Sequence, residues 1–263
     1  MGVTDEVKKY YAEYDEENRL IKDNAHKIEF ITTTTYLNKY IKKDSKILDV
    51  GAGTGRYSFY YDEQGFDVTA LELCEKHINI MAKKTEELKS SLNIIQGNAL
   101  DLSVFENDSF DVVLCLGPIY HLTDKADRDK CIKECLRVLK PNGILAIAYV
   151  NRLTQFIKMI SRDKDNINDI GLQRIVYHGS EFGDSNDCFY FSTYEEIEGL
   201  MNSFEVKKLA HLGTDGMSDL LRNRVNEFSD SEFDLWLKYH LNTCENASIL
   251  GYSMHGLYIC RAN

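Results

Sequence analysis

From Lys46 onward, short apolar runs alternate with stretches whose apolar positions recur every three or four residues. Lys46 to Val50, Phe66 to Leu71, Leu92 to Gln96, Phe110 to Leu116 and Ile144 to Val150 read as strands. The last two are continuously apolar, as strands buried on both faces are. Between them, Arg56 to Gln64, Cys74 to Ser90 and Asp124 to Leu139 read as helices. The last of these carries Ile132, Cys135, Leu136 and Leu139 at helical spacing, with Asp124 available as N-cap. This alternation predicts a parallel sheet covered by helices on both faces. The rhythm breaks at Asn151 to Phe191, a polar block ending in the aromatic cluster Phe189, Tyr190 and Phe191. A helix over Thr193 to Phe204 and a strand over Glu205 to Leu212 follow. Asp215 to Cys244 reads as helical, with Phe233, Trp236, Leu237 and His240 as one apolar stripe, and Gly256 to Arg261 as a last strand. The two irregular blocks predict excursions at one end of the sheet, where loops build binding sites.

Composition narrows the class. The chain has 263 residues, of which 43% are hydrophobic, which fits one large domain or a core domain with an insertion. Its longest apolar run, Ile144 to Val150, is far short of the ~18 residues that suggest a membrane span, and residues 1–45 lack a signal-peptide pattern. Seven cysteines, odd in number and scattered through core segments, fit a reducing compartment. With 42 acidic against 31 basic residues the net charge is −11, which disfavours a nonspecific grip on nucleic acid or an anionic bilayer. A cytoplasmic enzyme, monomer or homodimer, with no membrane partner is the expectation.

The candidate chemistry starts at ILDVGAGTGRYS, Ile47 to Ser58, where Gly51, Gly53 and Gly55 close a strand and precede a helix. Such a junction lets backbone approach a ligand closely and aims helix N–H groups at it. Glu72 ends the second strand, where a carboxylate can accept both hydroxyls of a ribose. A dinucleotide fingerprint would require glycine where the chain has Arg56. The spacing G-x-G-x-G instead resembles the first motif of class I S-adenosylmethionine-dependent methyltransferases. VTALEL with Glu72 resembles that family's acidic second motif, and QGNALDL its third, with Asn98 where aspartate is more usual. FDVVLCLGPIYHL and LRVLKPNGILAIAYV resemble the fourth-strand motif and the helix–turn–strand after it. The resemblance covers roughly Lys46 to Val150. It implies a three-layer α/β, Rossmann-like sheet of seven strands, parallel except for an antiparallel last strand that GLYICR supplies. It also implies S-adenosylmethionine as cofactor, held by Gly51, Ala52, Gly53, Gly55, Glu72, Leu73, Asn98, Ala99 and Leu116.

Residues 1–45 predict two helices, from VKKYYAEYDEENRL and FITTTTYLNKYI, lying across the cofactor. In proteins similar to this family an aromatic residue and an arginine from this region meet the methionine end; Tyr14 and Arg19 are the candidates. The alternative is that Tyr14 packs and Arg19 pairs with neighbouring glutamates. Residues 46–263 then form the methyltransferase domain, with insertions at about 151–191 and 215–244 forming a substrate cap.

Methyl transfer needs positioning, water exclusion and, for a protonated acceptor, a base. In the segment after the fourth strand, Tyr120 and His121 are the titratable side chains; His121 is the candidate base and Tyr120 the orienting group. The competing reading makes His121 a helix-terminal residue and Tyr120 a packing residue. Leu116-Gly117-Pro118-Ile119 lacks the Asp/Asn-Pro-Pro-aromatic pattern of enzymes acting on base amines, which disfavours DNA or ribosomal RNA. Cys131 and Cys135 read as core rather than a metal site, and His178 as a loop residue. The reading is methyl transfer to a small molecule. Its alternatives are methylation of a modified transfer-RNA base, a non-catalytic S-adenosylmethionine or S-adenosylhomocysteine sensor, and an NAD-dependent oxidoreductase.

Overall fold

A computed structural model describes residues 3–183 and 187–263. Among the described residues seven strands form one sheet: β1 (Lys46–Val50), β2 (Asp67–Glu72), β3 (Asn93–Gln96), β4 (Phe110–Cys115), β5 (Leu139–Val150), β6 (Val206–Gly213) and β7 (His255–Ala262). Their order is β3-β2-β1-β4-β5-β7-β6. β1 to β5 pair in parallel, while β7 runs antiparallel to both β5 and β6. The predicted sheet is thus present, with its antiparallel strand placed between β5 and β6.

The continuous apolar runs follow from the two-residue period of a strand covered on both sides. Leu48, Val50, Val113, Cys115, Leu145 and Ile147 enter one core, whereas Ile47, Val112, Leu114, Ile144 and Ala146 enter the other. All are at most 4% exposed, and full burial of such a side chain contributes ~1.5–3 kcal/mol. α3 (Arg56–Asp62), α4 (Glu75–Leu88) and α5 (Lys125–Val138) cross between the strands. Asp124 does cap α5, accepting from Ala126 N–H. Cys131 and Cys135 pack inward from α5 beside Cys115 of β4, whose Sγ lies 3.8 Å from that of Cys131, all within the first core. β5 begins earlier than its apolar run suggests, because Leu139 already pairs with Phe110 and the register shifts across the Pro-Asn-Gly turn.

Three segments depart from the expectations. α1 (Val3–Glu13) ends before Tyr14, and turns carry the chain to α2 (Asn24–Leu37), which Asp23 caps through His26 N–H. The polar block after β5 is helical, with α6 (Arg152–Arg162) and α7 (Ile170–His178). Asn151 and Asp169 cap these helices, and their apolar faces join Val150, Phe191 and Met254 in a small separate core. His178, the last residue of α7, is exposed. After α8 (Tyr194–Met201) and β6, the block predicted as one helical stretch contains turns, α9 (Arg222–Asn226) and α10 (Asp230–Thr243), with α11 (Ala247–Leu250) beyond. Val225, Phe228, Phe233 and Trp236 pack on Ala25 and Ile28 of α2. Of the predicted stripe, His240 is buried while Phe233, Trp236 and Leu237 are half-buried. Among the described residues no helix is long and apolar enough to cross a membrane.

Candidate cofactor and acceptor cavities

The carboxyl ends of β1, β2 and β4, with α1 and the turn after it, enclose a cavity of about 1100 Å³, mouth included. The turn β1–α3 forms its floor. Gly51, Gly53 and Gly55 all have positive φ, as the close glycine spacing demands. Gly51, Ala52 and Gly53 line the cavity. Gly55 does not: it is the left-handed N-cap of α3, and a Cβ there would meet Phe59 and Met81 at 2.9–3.0 Å. Its role is packing of the helix start.

Glu72, Leu73, Asn98, Ala99 and Leu116 also line this cavity, as does Arg19. The Glu72 carboxylate is 5% exposed and accepts from Gly53 N–H at 2.7 Å and Cys74 N–H at 2.8 Å. Asn98 Oδ1 accepts from Leu100 N–H at 3.0 Å, so Nδ2 is the group it offers a ligand. Asp49, below the loop, accepts from Ser58 Oγ at 2.6 Å, and burial pushes its carboxyl up to about 7. Sequence reasoning missed His77 on α4, which lines the cavity with both ring nitrogens buried and without hydrogen-bond partners among the described residues. Its Nδ1 lies 3.6 Å from Glu72 Oε1. A lone histidine in an amphipathic helix carries no motif; only the fold reveals it. Unpaired buried nitrogens cost free energy unless a ligand satisfies them.

A second cavity, about 1090 Å³ with its open mouth included, lies beside the first, and Tyr11, Glu16, Arg19 and Tyr120 line both. Tyr14 lines only the second, so of the two N-terminal candidates Arg19 alone reaches the first cavity, and both line the second. Phe189, Phe191, Met254 and His255 complete much of its wall, while no residue of 215–244 lines either cavity. Arg19 does pair with its neighbours, through Nε to Glu16 at 2.9 Å and Nη1 to Glu29 at 2.8 Å. It is nevertheless at the wall between the cavities, where both readings of it meet.

Tyr120 and His121 sit on the 3-10 turn Pro118–His121 directly after β4. Burial pushes the Tyr120 hydroxyl up, so it stays a neutral O–H. His121 is 7% exposed and its ring is fixed from both sides. Nδ1 lies 2.7 Å from the Cys188 carbonyl and Nε2 2.9 Å from Tyr11 Oη. A carbonyl only accepts, so Nδ1 carries the proton and Nε2 accepts from Tyr11. Burial lowers the His121 pKa to about 4. An imidazole of that pKa is a weak proton acceptor at neutral pH. Tyr11, one position on from Tyr10 in a tyrosine-rich helix, was not distinguishable from its neighbours by sequence.

α1 is held over the first cavity by ring contacts of Tyr10 with Phe189 and of Tyr11 with His77 and His121, and by polar links. Lys76 Nζ donates to the carbonyls of Tyr11, Ala12 and Tyr14 near the helix end. α2, by contrast, buries Ile28 and Leu37 completely. Added S-adenosylhomocysteine is therefore expected to slow amide hydrogen exchange across residues 7–19 and to change α2 little. Equal protection of residues 7–19 with and without it would separate this segment from ligand binding.

Residues 48–147 match the family described as "Methyltransferase domain". The chain is 28% identical over 185 residues to a glycine/sarcosine N-methyltransferase of Parasynechococcus marenigrum, covering 64% of each chain. It is 30% identical over 132 residues to a ubiquinone biosynthesis O-methyltransferase of Rickettsia akari, covering 49% of this chain and 50% of the relative. It thus spans about half to two thirds of these curated relatives. The solved structure of the PH0226 protein from Pyrococcus horikoshii superposes with a TM-score of 0.63 at 20% identity, covering 97% of this chain and 99% of that one. Sheet order, loop and matched residues agree: residues 48–147 form a methyltransferase domain of the class I S-adenosylmethionine-dependent type.

Proposed function

We propose that this protein transfers a methyl group from S-adenosylmethionine to a small-molecule acceptor by in-line displacement. The observation that carries the proposal is the common wall of Tyr11, Glu16, Arg19 and Tyr120 between two adjacent cavities. A donor in the first and an acceptor in the second would meet at that wall. When bound, S-adenosylmethionine supplies an electrophilic methyl on a sulfonium. The rest is positioning, which recovers ~7–11 kcal/mol of barrier when reacting atoms are held in line.

The residues present fit this cofactor. Glu72 and His77 offer the ribose an acceptor and unpartnered ring nitrogens, Asn98 and Ala99 stand for the adenine, and the backbone of Gly51 to Gly53 gives close approach. Leu73 and Leu116 supply apolar wall, and Arg19 suits a carboxylate. Tyr120 orients the acceptor, and His121 fixes the Tyr11 hydroxyl at the shared wall. Aromatic side chains around the second cavity suit an organic acceptor, and the N- and O-methyltransferase relatives are named for small-molecule reactions. The net charge of −11 argues against a nucleic-acid acceptor.

Calorimetry is expected to show binding of S-adenosylmethionine and S-adenosylhomocysteine and none of NAD. Glu72→Ala should weaken that binding by ~1–3 kcal/mol, since buried hydroxyls lose a charged acceptor. Incubation with a panel of amines, phenols and thiols should then release S-adenosylhomocysteine. Tight NAD binding with no response to S-adenosylhomocysteine overturns the reading.

A further inference from the structure

We infer that His255, held by Asp215, is the proton acceptor of the second cavity and serves an acceptor atom that must lose a proton as it is methylated. The inference rests on the methyltransferase reading above and adds to it a catalytic residue that no sequence motif marks.

β7 enters the sheet antiparallel, and His255, its first residue, pairs with Val150 at the carboxyl end of β5. This puts an imidazole at the end of the sheet where ligands of open α/β folds bind, and His255 lines the second cavity. Its Nδ1 lies 2.8 Å from Asp215 Oδ2. Asp215 is itself immobilised: its Oδ1 accepts from Ser253 Oγ at 2.5 Å, Met254 N–H at 2.8 Å and His255 N–H at 3.2 Å. A carboxylate so placed keeps the proton on Nδ1 and leaves Nε2 as the basic nitrogen. Nε2 makes no hydrogen bond among the described residues, and the side chain is 25% exposed. His121 likewise carries its proton on Nδ1, but its Nε2 is engaged by Tyr11 and the residue is buried.

The charged groups facing His255 are Asp215 from the loop after β6, Glu29 of α2 at 3.3 Å, and Arg19 from the turn after α1. Arg19 Nη1 binds the same Glu29 Oε2 at 2.8 Å, so part of the Glu29 charge is already answered. Burial opposes the imidazolium, yet Glu29 and Asp215 outweigh burial and Arg19 and hold its pKa above the ordinary value. A base raised in this way is poised closer to neutral pH. In the reaction, the acceptor's lone pair forms the bond to the methyl carbon. The carbon–sulfur bond breaks with its electron pair passing to sulfur, and the acceptor's proton passes to His255 Nε2 and later to solvent.

The test has two arms. Histidine ring titration by NMR, with the His255 signal assigned through His255→Gln, should give a midpoint above 6.5 that falls in Asp215→Asn. For turnover, S-adenosylhomocysteine release is followed against pH with sarcosine as an amine probe and catechol as a hydroxyl probe. On the probe that reacts, His255→Gln should lower kcat by ~10²–10⁴-fold and remove the acid limb, with KM and S-adenosylhomocysteine affinity unchanged. A His255 midpoint at or below 6.5 that ignores Asp215→Asn overturns the inference, as does wild-type turnover and pH profile in His255→Gln. Failure of the wild-type protein to bind S-adenosylhomocysteine strikes the methyltransferase reading instead, and the titration still decides for or against His255.

Discussion

Gly51→Ala is expected to destabilise the protein by ~2–5 kcal/mol and to abolish measurable S-adenosylhomocysteine binding. Gly51 has φ +71°, and a Cβ there would lie 2.8 Å from Pro118 Cγ and 2.9 Å from Pro118 Cδ. The left-handed backbone costs an L-residue ~1–2 kcal/mol, and overpacking adds ~1–3 kcal/mol. A proline ring cannot swing away as a flexible side chain would, and Pro118 begins the turn that carries Tyr120 and His121. Relief by moving the glycine loop would strain the Gly51 N–H bond to Leu71 O, now 2.8 Å. Either movement distorts the cavity floor. Gly65→Ala is the matching control: φ is +84°, but nothing lies within 4 Å of the added Cβ. It should lose only the ~1–2 kcal/mol of backbone strain and keep its affinity. Urea unfolding and calorimetry on both variants decide the matter, and Gly51→Ala behaving like Gly65→Ala would remove the close approach from the argument.

The same loop shows why this part of the molecule was legible. Backbone conformation and strand burial are local properties, written in Gly51 to Gly55 and in runs such as Phe110 to Cys115, so fold and cofactor site follow from short windows of sequence. The polar block after β5 misled because α6 and α7 bury only a narrow apolar face in a small separate core. Their caps, Asn151 and Asp169, were signals available for finding them. At the N-terminus, carrying one helix through Leu20 rotated the faces: α1 ends at Glu13, which points Tyr11 to the shared wall and leaves Tyr14 on the second cavity alone. His255 was not legible at all. It reaches the site through pairing with Val150, more than a hundred residues away in sequence, and through Asp215, which the chain brings back from beyond β6. Such non-local placement is written in the topology of the sheet.

His121 gives the second large effect, in the pH dependence of stability. Its folded pKa of about 4 lies below the unfolded value of about 6.5, so folding favours the neutral ring. The stabilisation is complete above about pH 6.5 and is lost as pH falls towards 4, by about 3 kcal/mol at 1.36 kcal/mol per unit. The wild-type curve alone does not isolate it. Asp49, pushed up to about 7 by burial, acts in the opposite sense, because its contribution fades as pH rises across much of the same range. His26, His211 and His240 are also lowered, chiefly by burial, whereas His255 is raised. Comparison with His121→Asn separates the contribution. Between pH 6.5 and 4 the wild-type protein should take up about one more proton on unfolding than the variant, read as the difference in slope of unfolding free energy against pH. Protection of α1 against hydrogen exchange, corrected for the intrinsic pH dependence of exchange, should fall only near pH 4, where Nε2 of the folded protein takes a proton and no longer accepts from Tyr11. Parallel slopes for the two proteins would mean that His121 titrates at its ordinary value and is open to water. The contact between α1 and the turn after β4 would then be too loose to hold a wall between donor and acceptor.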